Sequence, residues 1–438
     1  MKRKVYSDVP SFLADNAATG ADLPFSADIS VLGESLSVGT KTAPNRLACQ
    51  AMEGCDGDAD GRPGELTGRR YRRFAVGGAG IIWFEATAVM REGRANPRQL
   101  YITEEDLDSF KKQVEEIKET ALRERGHEPL VIMQATHSGR YSKPDGTPAP
   151  IIVKHDPLLE KATPVDDGRI ASDEYLDRVG EALVNGAVLA ERAGFDGVDI
   201  KSCHRYLLSE LLSAYDRPGR YGGPFENRTR LLRESVKGAC SATGTGFIVT
   251  SRLNVCDGVP YPSGFGVTGD GSFDPAEPSL LVKELAGLGV KLLDITMGNP
   301  YFNPHVNRPF ALGPYEPEEH PLLGVKRVLD GTSQIKKAAP GTALICSAIS
   351  YLGVAAPGVV SAYIRDGGFD VAGFGREAIA YPDFAKDILD SGEMDGRKIC
   401  LCCSKCTEIM RKPGGTPGCA VRDREVYLPV YRELCGRE

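Results

Sequence analysis

Short apolar runs alternate along this chain with longer stretches in which apolar residues recur at helical spacing. Four of the runs follow one or two glycines and end in a polar or small residue, within 74–85, 193–201, 288–296 and 366–375. Glycine commonly ends a helix because it adopts the left-handed backbone conformation easily, and a short apolar run is typical of a buried parallel strand. The pattern therefore predicts repeated units in which a helix leads into a strand.

Four further strands fit between these units, at 46–52, 129–134, 247–253 and 342–347. Eight strands that alternate with helices predict an α/β fold, a (β/α)8 TIM barrel, over residues 41–395. Residues 1–40 are expected to be an irregular N-terminal leader. A long loop is expected between Gly258 and Ser279, where Gly, Pro, Asp and Ser dominate. Residues 396–438 do not follow the barrel pattern and are predicted to be a separate segment.

In such barrels the chemistry takes place at the C-terminal ends of the strands. The residues that end the predicted strands are therefore the first candidates for a functional site: Met52, Glu85, Gln134, Lys201, Arg252, Thr296, Ser347 and Gly375.

The C-terminal segment contains four cysteines in the spacing C-x2-C-x2-C-x12-C, namely Cys400, Cys403, Cys406 and Cys419. A tight triplet with one distant partner suits a [4Fe–4S] cluster, because each iron takes one thiolate. Zinc is the alternative, since sites of four cysteines commonly hold it. Cys402, next to Cys403, leaves the register of the ligand set ambiguous. A cluster would indicate electron transfer.

Composition changes this picture little. The 438 residues are 41% apolar and 26% charged, with a formal net charge of −7, which is ordinary for a soluble globular protein. The acidic balance argues against nucleic acid and anionic membranes as partners. No apolar run approaches the roughly 20 residues that span a bilayer, and no signal peptide is recognisable, so a cytoplasmic location is expected. The stretch 56–61 resembles a calcium loop, but Thr67 stands at its twelfth position, where a glutamate is needed.

Several motifs together resemble the old yellow enzyme family. The run Arg220-Tyr-Gly-Gly-Pro-Phe-Glu-Asn-Arg-Thr-Arg230 is similar to that family's Y-G-G-S-x-E-N-R-x-R hallmark. Asn45-Arg46 resembles its opening N-R pair, and Gly375-Arg376, followed by Pro382-Asp383, resembles its closing G-R and P-D. The resemblance extends over residues 30–390 and implies an FMN-binding (β/α)8 barrel.

The resemblance also implies roles for individual residues. Gln134 and Arg252 would bond the flavin ring, and a fixed cation at Arg252 would stabilise the anionic reduced ring. A buried structural ion pair is the alternative for Arg252. The FMN phosphate would lie over the last two strands, at Ser347-Ala348, where the family usually has two glycines, and at Gly375-Arg376. The full set of expected FMN contacts is Met52, Ala86, Gln134, Arg252, Ser347, Ala348, Gly375 and Arg376.

On the substrate side this chain departs from the family. Relatives that reduce activated alkenes usually present H-x-x-H or H-x-x-N after the fourth strand, and this chain has Lys201-x-x-His204. Tyr206 matches the family's proton donor, with a packing role as the alternative. Tyr301 and His305, on the loop after Thr296, are candidate substrate contacts or ordinary loop residues.

The cysteine segment resembles the iron–sulfur branch of the same family, which contains 2,4-dienoyl-CoA reductase, 2-enoate reductases and trimethylamine dehydrogenase. Those relatives continue into FAD- and NAD(P)H-binding domains, and no G-x-G-x-x-G follows the cysteines here. A separate donor flavoprotein or NAD(P)H is therefore expected to supply the electrons. Glu53 stands where trimethylamine dehydrogenase attaches its flavin through a cysteine, so a covalent flavin is not expected.

The leading hypothesis is an FMN- and [4Fe–4S]-containing ene-reductase that acts on a C=C bond conjugated to a carbonyl or carboxylate. Tyr206 would donate the proton, and Lys201 and His204 would hold the substrate oxygen. An amine dehydrogenase or N-demethylase is the second hypothesis, favoured by the cysteine spacing and disfavoured by the lysine, which would repel a cationic amine. An electron-transfer subunit without its own substrate is the third. The oligomeric state is open, and a homo-oligomer is possible.

Overall fold

The computed structural model describes residues 4–161 and 163–436. Eight parallel strands form a closed barrel, in which the last strand pairs with the first. A short antiparallel hairpin, β1 (Leu36–Val38) and β2 (Lys41–Ala43), precedes it. The barrel strands are β3 (Leu47–Cys49), β4 (Ile81–Ala88), β5 (Leu130–Thr136), β6 (Gly197–Ile200), β7 (Ile248–Cys256), β8 (Leu292–Met297), β9 (Ala343–Cys346) and β10 (Val371–Phe374).

Helices connect the strands and surround the barrel. The α-helices are α1 (Val9–Ala18), α2 (Glu65–Gly77), α3 (Leu107–Arg125), α4 (Pro157–Glu160), α5 (Asp173–Arg192), α6 (Leu207–Leu211), α7 (Phe225–Arg228), α8 (Arg230–Ala242), α9 (Ala276–Gly287), α10 (Pro304–Asn307), α11 (Pro321–Lys336), α12 (Ala356–Arg365), α13 (Arg376–Ala380), α14 (Phe384–Ser391), α15 (Lys405–Met410) and α16 (Tyr427–Cys435). Short 3₁₀ helices lie at Ser30–Gly33, Arg91–Gly93, Gly139–Tyr141, Asp167–Arg169 and Ile349–Ala355.

The predicted (β/α)8 barrel is confirmed, and each of the eight predicted strands overlaps an observed one. The expectation of a leader without regular structure is wrong for Val9–Ala18, which form α1. The side chain of Asp8 accepts a hydrogen bond of 2.8 Å from the backbone N–H of Ser11 and so caps this helix. Residues 1–3 of the predicted leader and 437–438 of the predicted cysteine segment lie outside the described residues.

Alternation along the strands separates two apolar layers. Ile81 and Trp83 of β4 belong to a cluster that the other barrel strands share, whereas Ile82 and Phe84 pack in the larger cluster with the surrounding helices. Successive side chains of a strand point to opposite faces, so the first layer fills the barrel and the second covers it. The hairpin contributes Val38 and Ala43 to the inner cluster. It therefore closes the N-terminal end of the barrel and leaves the other end for function.

The cysteine segment packs against the barrel through polar contacts. Arg69 and Arg73 of α2 each donate to Asp423 at 2.6 Å. The carbonyl oxygen of Cys402 accepts hydrogen bonds from the N–H groups of Ala311 and Leu312 at 3.2 and 3.3 Å. The segment is thus tied both to α2 and to the loop that follows β8. Among the described helices, none is long and apolar enough to cross a membrane.

Candidate active site

Buried carboxylates inside the barrel fix the two residues expected to bond a flavin ring. The side-chain N–H of Gln134, on β5, donates to Asp199 of β6 at 2.7 Å, and the indole N–H of Trp83 donates to the same Oδ2 at 2.8 Å. The backbone N–H of Arg252 donates to the other oxygen of Asp199 at 2.6 Å. Since one N–H of the Gln134 amide is engaged, its second N–H and its oxygen remain for other partners.

Asp294, on β8, fixes the position of the Arg252 guanidinium. The two form an ion pair of 3.0 Å, and Asp294 also accepts a hydrogen bond of 3.0 Å from Gln50. A second Arg252 nitrogen donates to the carbonyl oxygen of Ala51 at 3.3 Å. Burial raises the pKa of Asp294 to about 7, although Arg252 opposes that shift. The charge near Arg252 therefore depends on pH around neutrality.

Lys201 follows β6 directly and is a buried cation that forms no ion pair within residues 4–161 and 163–436. Only 5% of the residue is exposed, and its Nζ lies 3.9 Å from the ring centroid of Tyr206. Among the described residues its Nζ has no hydrogen bond or ion pair. Burial lowers the pKa of Lys201, and Arg252 contributes in the same direction, although Glu53 opposes the shift. An ammonium held on an aromatic face with free N–H donors suits an anionic or strongly polarised oxygen.

The two residues after Cys203 adopt the left-handed backbone region, which is uncommon for residues other than glycine. His204 has φ +63° and Arg205 has φ +59°. Arg205 is buried and forms ion pairs with Asp156 at 3.0 Å and Asp257 at 3.2 Å. These pairs hold the turn in a conformation that presents His204, whose Nε2 is buried without a partner among the described residues. Burial and the charge of Arg252 lower the pKa of His204, so the imidazole is neutral.

Three phenols and one carboxyl meet above these residues. The hydroxyl of Tyr206 lies 3.0 Å from that of Tyr301 and 3.4 Å from Oε2 of Glu53. The ring of Tyr141 stacks on that of Tyr301, with centroids 3.7 Å apart. Tyr206 is only 3% exposed. Burial and Glu53 raise the pKa of Tyr206 well above its usual value, so its hydroxyl keeps its proton.

The loop that carries Glu53 is held from below by a buried ion-pair network. Arg70 of α2 donates to both oxygens of Asp56, at 2.7 and 3.0 Å, and to Glu85 of β4 at 2.5 Å. The other oxygen of Glu85 accepts the backbone N–H of Gly54 at 2.7 Å. A Cβ on Gly54 would lie 2.2–2.5 Å from the guanidinium, so a larger residue there would displace Arg70 from this network. Glu85, which the sequence predicts at a strand end, therefore supports the loop that carries Glu53.

The region expected to hold the FMN phosphate has small residues and a buried arginine. Ala348 adopts φ +69°, in the left-handed region, which explains why glycine is usual at this position. Gly375 directly follows β10 and lies against Met52, which follows β3; a Cβ added at Gly375 would be 3.3 Å from the Met52 sulfur. Arg376 donates one bond to the carbonyl oxygen of Pro309 at 2.8 Å, and its Nη1 is buried without a partner among the described residues.

The cysteines of the C-terminal segment line one small cavity with Arg376. Its lining includes Cys400, Cys402, Cys403, Cys406 and Cys419. The backbone N–H of Cys400 donates to Glu377 at 3.0 Å, and that of Arg422 donates to the sulfur of Cys419 at 3.4 Å. As the side chains stand in the described part of the chain, no group of three or more His, Cys, Asp or Glu could hold a metal ion. The structure brings the thiols to one cavity without arranging them as a chelate.

Arg308, on the loop after β8, is a further cation and is half-buried. Its Nη1 also has no partner within the described residues. Burial lowers the pKa of Arg308 to about 10, and Arg376 acts in the same direction, while Cys406 and Cys402 oppose it. Arg308 and Arg376 thus each have a buried Nη1 without a partner among the described residues.

Most of the predicted site residues converge, but His305 does not. Lys201, His204, Tyr206 and Tyr301 form one group at the C-terminal end of the barrel, and Ala86 is the register partner of Gln134 in the adjacent strand. His305 is buried beside Glu319, at 3.4 Å, with its ring against Phe310. None of its recorded contacts in the described chain is with Tyr206 or Tyr301.

Sequence reasoning missed four residues that the structure adds to this site: Glu53, Tyr141, Arg308 and Asp294. Glu53 was considered only as the position of a covalent flavin link. Asp294 was concealed within an apolar strand, although a carboxylate in such a strand is itself a signal, because a buried charge needs a partner. Tyr141 and Arg308 lie on loops, where spacing gives no indication of direction.

Comparison with known proteins identifies the family. The model of the NADH:flavin oxidoreductase / NADH oxidase family matches residues 32–296, which is more than half of the chain. The chain belongs to this family. The resemblance to old yellow enzymes is thereby confirmed at the level of the family, whose members are flavin oxidoreductases, and membership supports FMN as the flavin. The match does not distinguish the iron–sulfur branch.

Relatives within the NADH:flavin oxidoreductase family match part of the chain. An NADPH dehydrogenase from Halalkalibacterium halodurans is 34% identical over 200 residues, which are 44% of this chain and 55% of that protein. An NADPH dehydrogenase from Geobacillus sp. (strain WCH70) is 31% identical over 59% of this chain and 70% of its own length. The chain thus spans little more than half of the first of these relatives.

A solved structure of 2-naphthoyl-CoA reductase in complex with 2-naphthoyl-CoA has the same fold. It superimposes with a TM-score of 0.72 over 91% of this chain and 57% of that protein, at 20% identity. At that identity the similarity supports the architecture alone.

Proposed function

We propose that this protein is an FMN-dependent ene-reductase that reduces a C=C bond conjugated to a carbonyl or carboxylate. The observation that carries the proposal is the buried hydroxyl of Tyr206, whose ring centroid lies 3.9 Å from Nζ of Lys201 at the barrel mouth. A proton donor beside a cation that can bind an oxygen is the arrangement that this reduction needs.

The residues present fit a bound FMN. Buried donors without partners in the described chain include Nε2 of His204 and Nη1 of Arg308 and Arg376. A flavin mononucleotide offers acceptors for such groups along its ring and phosphate. We assign Gln134 and Arg252 to the ring, and Arg376 with the backbone around Ala348 to the phosphate. When bound, FMN would supply a hydride.

The protein's own residues would perform the rest of the reaction. Lys201 and the neutral His204 donate hydrogen bonds to the substrate oxygen and polarise the double bond toward its β-carbon. Tyr206 holds a proton at its Oη and releases it to the α-carbon. The ring of Tyr301, which is stacked on that of Tyr141, lies beside the Tyr206 hydroxyl at this site.

Lys201 supports an acidic or strongly polarised substrate. The ammonium has no counter-ion among the described residues, so a carboxylate or a developing enolate would neutralise it in a low-dielectric site. The same cation weighs against the amine dehydrogenase hypothesis, since an alkylammonium would meet a like charge. The only tryptophan, Trp83, is bonded to Asp199 inside the barrel and is not available to a cationic ligand.

We further propose that Cys400, Cys403, Cys406 and Cys419 bind a [4Fe–4S] cluster, which would place the chain in the iron–sulfur branch. Their common cavity and the neighbouring Arg376 support this assignment, because a guanidinium stabilises thiolates. A donor flavoprotein, or a reduced nicotinamide directly, would supply the electrons.

The reductase proposal is tested with anaerobic, dithionite-reduced protein loaded with FMN. Cinnamate and 2-cyclohexenone serve as probes, and methylamine reduction of the oxidised flavin tests the amine alternative. We expect Tyr206→Phe to slow flavin reoxidation at least about 100-fold, because general acid catalysis contributes 10²–10⁴-fold. Tyr261→Phe, which removes an exposed hydroxyl, should leave the rate unchanged. Equal rates for Tyr206→Phe and wild type would exclude Tyr206 as the donor.

The cluster is tested by anaerobic reconstitution with iron and sulfide. Four irons per chain and a Mössbauer spectrum of a cubane cluster are expected, and Cys403→Ser should reduce the iron content. Cys240→Ser, at an exposed cysteine of α8, is the matched control. Binding of one zinc per chain with no iron would replace the cluster by the zinc alternative.

A further inference from the structure

The proton on Tyr206 has to be replaced after every reduction, and in the described part of the chain its hydroxyl is within hydrogen-bond distance of two groups. Glu53 lies 3.4 Å away through Oε2, and Tyr301 lies 3.0 Å away through its own hydroxyl. The other oxygen of Glu53 is buried without a partner among the described residues. A carboxyl with one bond to a phenol and none elsewhere is poorly explained as a structural group, because an unpaired buried oxygen is destabilising.

The loop around Glu53 is held rigidly enough to keep that contact. Gly54, the next residue, donates its N–H to Glu85 at 2.7 Å, and Asp56 is clamped by Arg70 at 2.7 and 3.0 Å. This network fixes the backbone on one side of Glu53 and leaves the Glu53 carboxyl itself outside the network. Within the residues that the structure describes, the Glu53 carboxyl has one hydrogen bond, which it accepts from Tyr206.

We propose that Glu53 is a proton relay that recharges Tyr206 after each turnover. The inference rests on the proposed ene-reductase function. In the reaction the double bond gains a hydride at its β-carbon, with both electrons from the reduced flavin, and a proton at its α-carbon from Oη of Tyr206. The O–H bond of Tyr206 breaks, and the resulting phenolate takes the proton of the Glu53 carboxyl. Water then returns a proton to the Glu53 carboxylate.

The environment of Glu53 keeps the carboxyl available as an acid. Burial raises its pKa, whereas Lys201 and the hydrogen bond from Tyr206 lower it. The titratable and charged groups that act on this pocket are Lys201, Tyr206, Tyr301, Cys55, Glu85, Asp56 and Arg70. Tyr301 is 42% exposed although its hydroxyl contacts Tyr206, so this side of the pocket is close to bulk water.

Single and multiple turnover separate a relay from a group that only supports structure. In a single turnover Tyr206 starts with its proton, so reduced Glu53→Gln protein should reoxidise on 2-cyclohexenone within about twofold of wild type. In steady state with excess probe and dithionite, we expect its rate to fall at least about tenfold. The steady-state pH profile of wild type should contain an ionisation that Glu53→Gln lacks, and acetate should partly restore Glu53→Ala.

Glu128→Gln removes an exposed carboxylate that forms no hydrogen bond or ion pair with the described residues, and it should behave as wild type. Equal steady-state rates for Glu53→Gln and wild type would overturn the relay. A single-turnover rate of Glu53→Gln that falls as far as its steady-state rate would also overturn it, and weaker FMN binding by the variant would then indicate a structural role for Glu53.

A wild type that reduces neither probe would refute the proposed function instead. The relay contact is then tested without turnover, by infrared difference spectra of wild type minus Glu53→Gln as a function of pH. The midpoint of the Glu53 carboxyl band should shift in Tyr206→Phe. An unchanged midpoint would show that the two groups are not coupled and would overturn the inference.

Discussion

Arg70 is the centre of the buried network beneath the active-site loop, and replacing it tests whether that network is essential. The Arg70→Met variant keeps a side chain of similar length and removes the charge. It leaves two buried carboxyls without a cation, since Asp56 and Glu85 both bond Arg70 at 3.0 Å or less and are almost fully buried. Breaking a buried pair in this way typically destabilises a protein by about 3–5 kcal/mol.

The size of the loss should depend on pH, with a sign that follows from the two carboxyls. Burial raises the pKa of Glu85 to about 7, above its unfolded value, so its contribution to stability is present at low pH and is lost as the pH rises through about 7. Burial opposes the low pKa of Asp56, but Arg70 outweighs it. Without Arg70 the pKa values of Asp56 and Glu85 both rise. The loss in free energy of unfolding relative to wild type therefore shrinks as the pH falls, by about 1.4 kcal/mol per pH unit for each extra proton that the folded variant binds.

The assay is urea unfolding of wild type and Arg70→Met at pH 6 and pH 8. We expect a loss of about 3–5 kcal/mol at pH 8 and a clearly smaller loss at pH 6. Arg72→Met, two residues along the same helix, breaks only a half-exposed pair with Glu116 and should lose about 1 kcal/mol or less at both pH values. A deficit below 0.5 kcal/mol at pH 8 (about the scatter of a surface change), or one equal at both pH values, would refute the reasoning.

Three further predictions concern single residues. Asp294→Asn should raise the midpoint potential of bound flavin by about 30 mV at pH 8, because Asp294 no longer neutralises the charge of Arg252. The increase should be smaller at pH 6, where Asp294 of the wild type is already protonated. Redox titration of both proteins checks this, and an equal increase at both pH values would contradict it. Ala348→Gly should raise the free energy of unfolding by about 0.5–1 kcal/mol, since glycine adopts φ +69° without strain. Urea unfolding measures this, and a midpoint at a lower urea concentration than that of wild type would contradict it. Arg308→Gln should stabilise the cofactor-free protein by about 1 kcal/mol and weaken the binding of FMN or iron. The reason is that Nη1 of Arg308 is buried without a partner among the described residues, which destabilises the protein unless an anion binds there. Thermal melts with and without cofactor test this, and destabilisation of both forms would count against it.

The barrel could be predicted because its strands are buried on both faces. Such strands appear in the sequence as continuous apolar runs, and the glycines before them mark the helix ends, as at Gly289 before β8, where φ is +103°. The leader was harder, because α1 is short and its N-terminal signal is only Asp8 followed by Val9 and Pro10.

The candidate site was predictable where residues lie in strands or directly after them, and not where they lie on loops. Lys201 directly follows β6 and Arg252 lies within β7, so their direction follows from the barrel. Glu53 and Tyr141 reach the same pocket only because tertiary contacts bend their loops toward Tyr206, and nothing local encodes that bend. His305 illustrates the converse, since its loop turns it toward Glu319. In each case spacing fixes the strand and long-range packing fixes the loop.

Helix α2 presents arginines in opposite directions, and this has a consequence for handling the protein in air. Arg69 and Arg73 reach outward to Asp423 of the cysteine segment, whereas Arg70 reaches inward to the loop of Glu53. One rigid element therefore contacts both the proposed cluster segment and the support of the proton relay. If oxygen destroyed a cluster in the cysteine segment, the contacts of Arg69 and Arg73 with Asp423 would weaken. Protein exposed to air should then show faster amide hydrogen exchange in α2 and in the loop of Glu53, in addition to losing electron transfer.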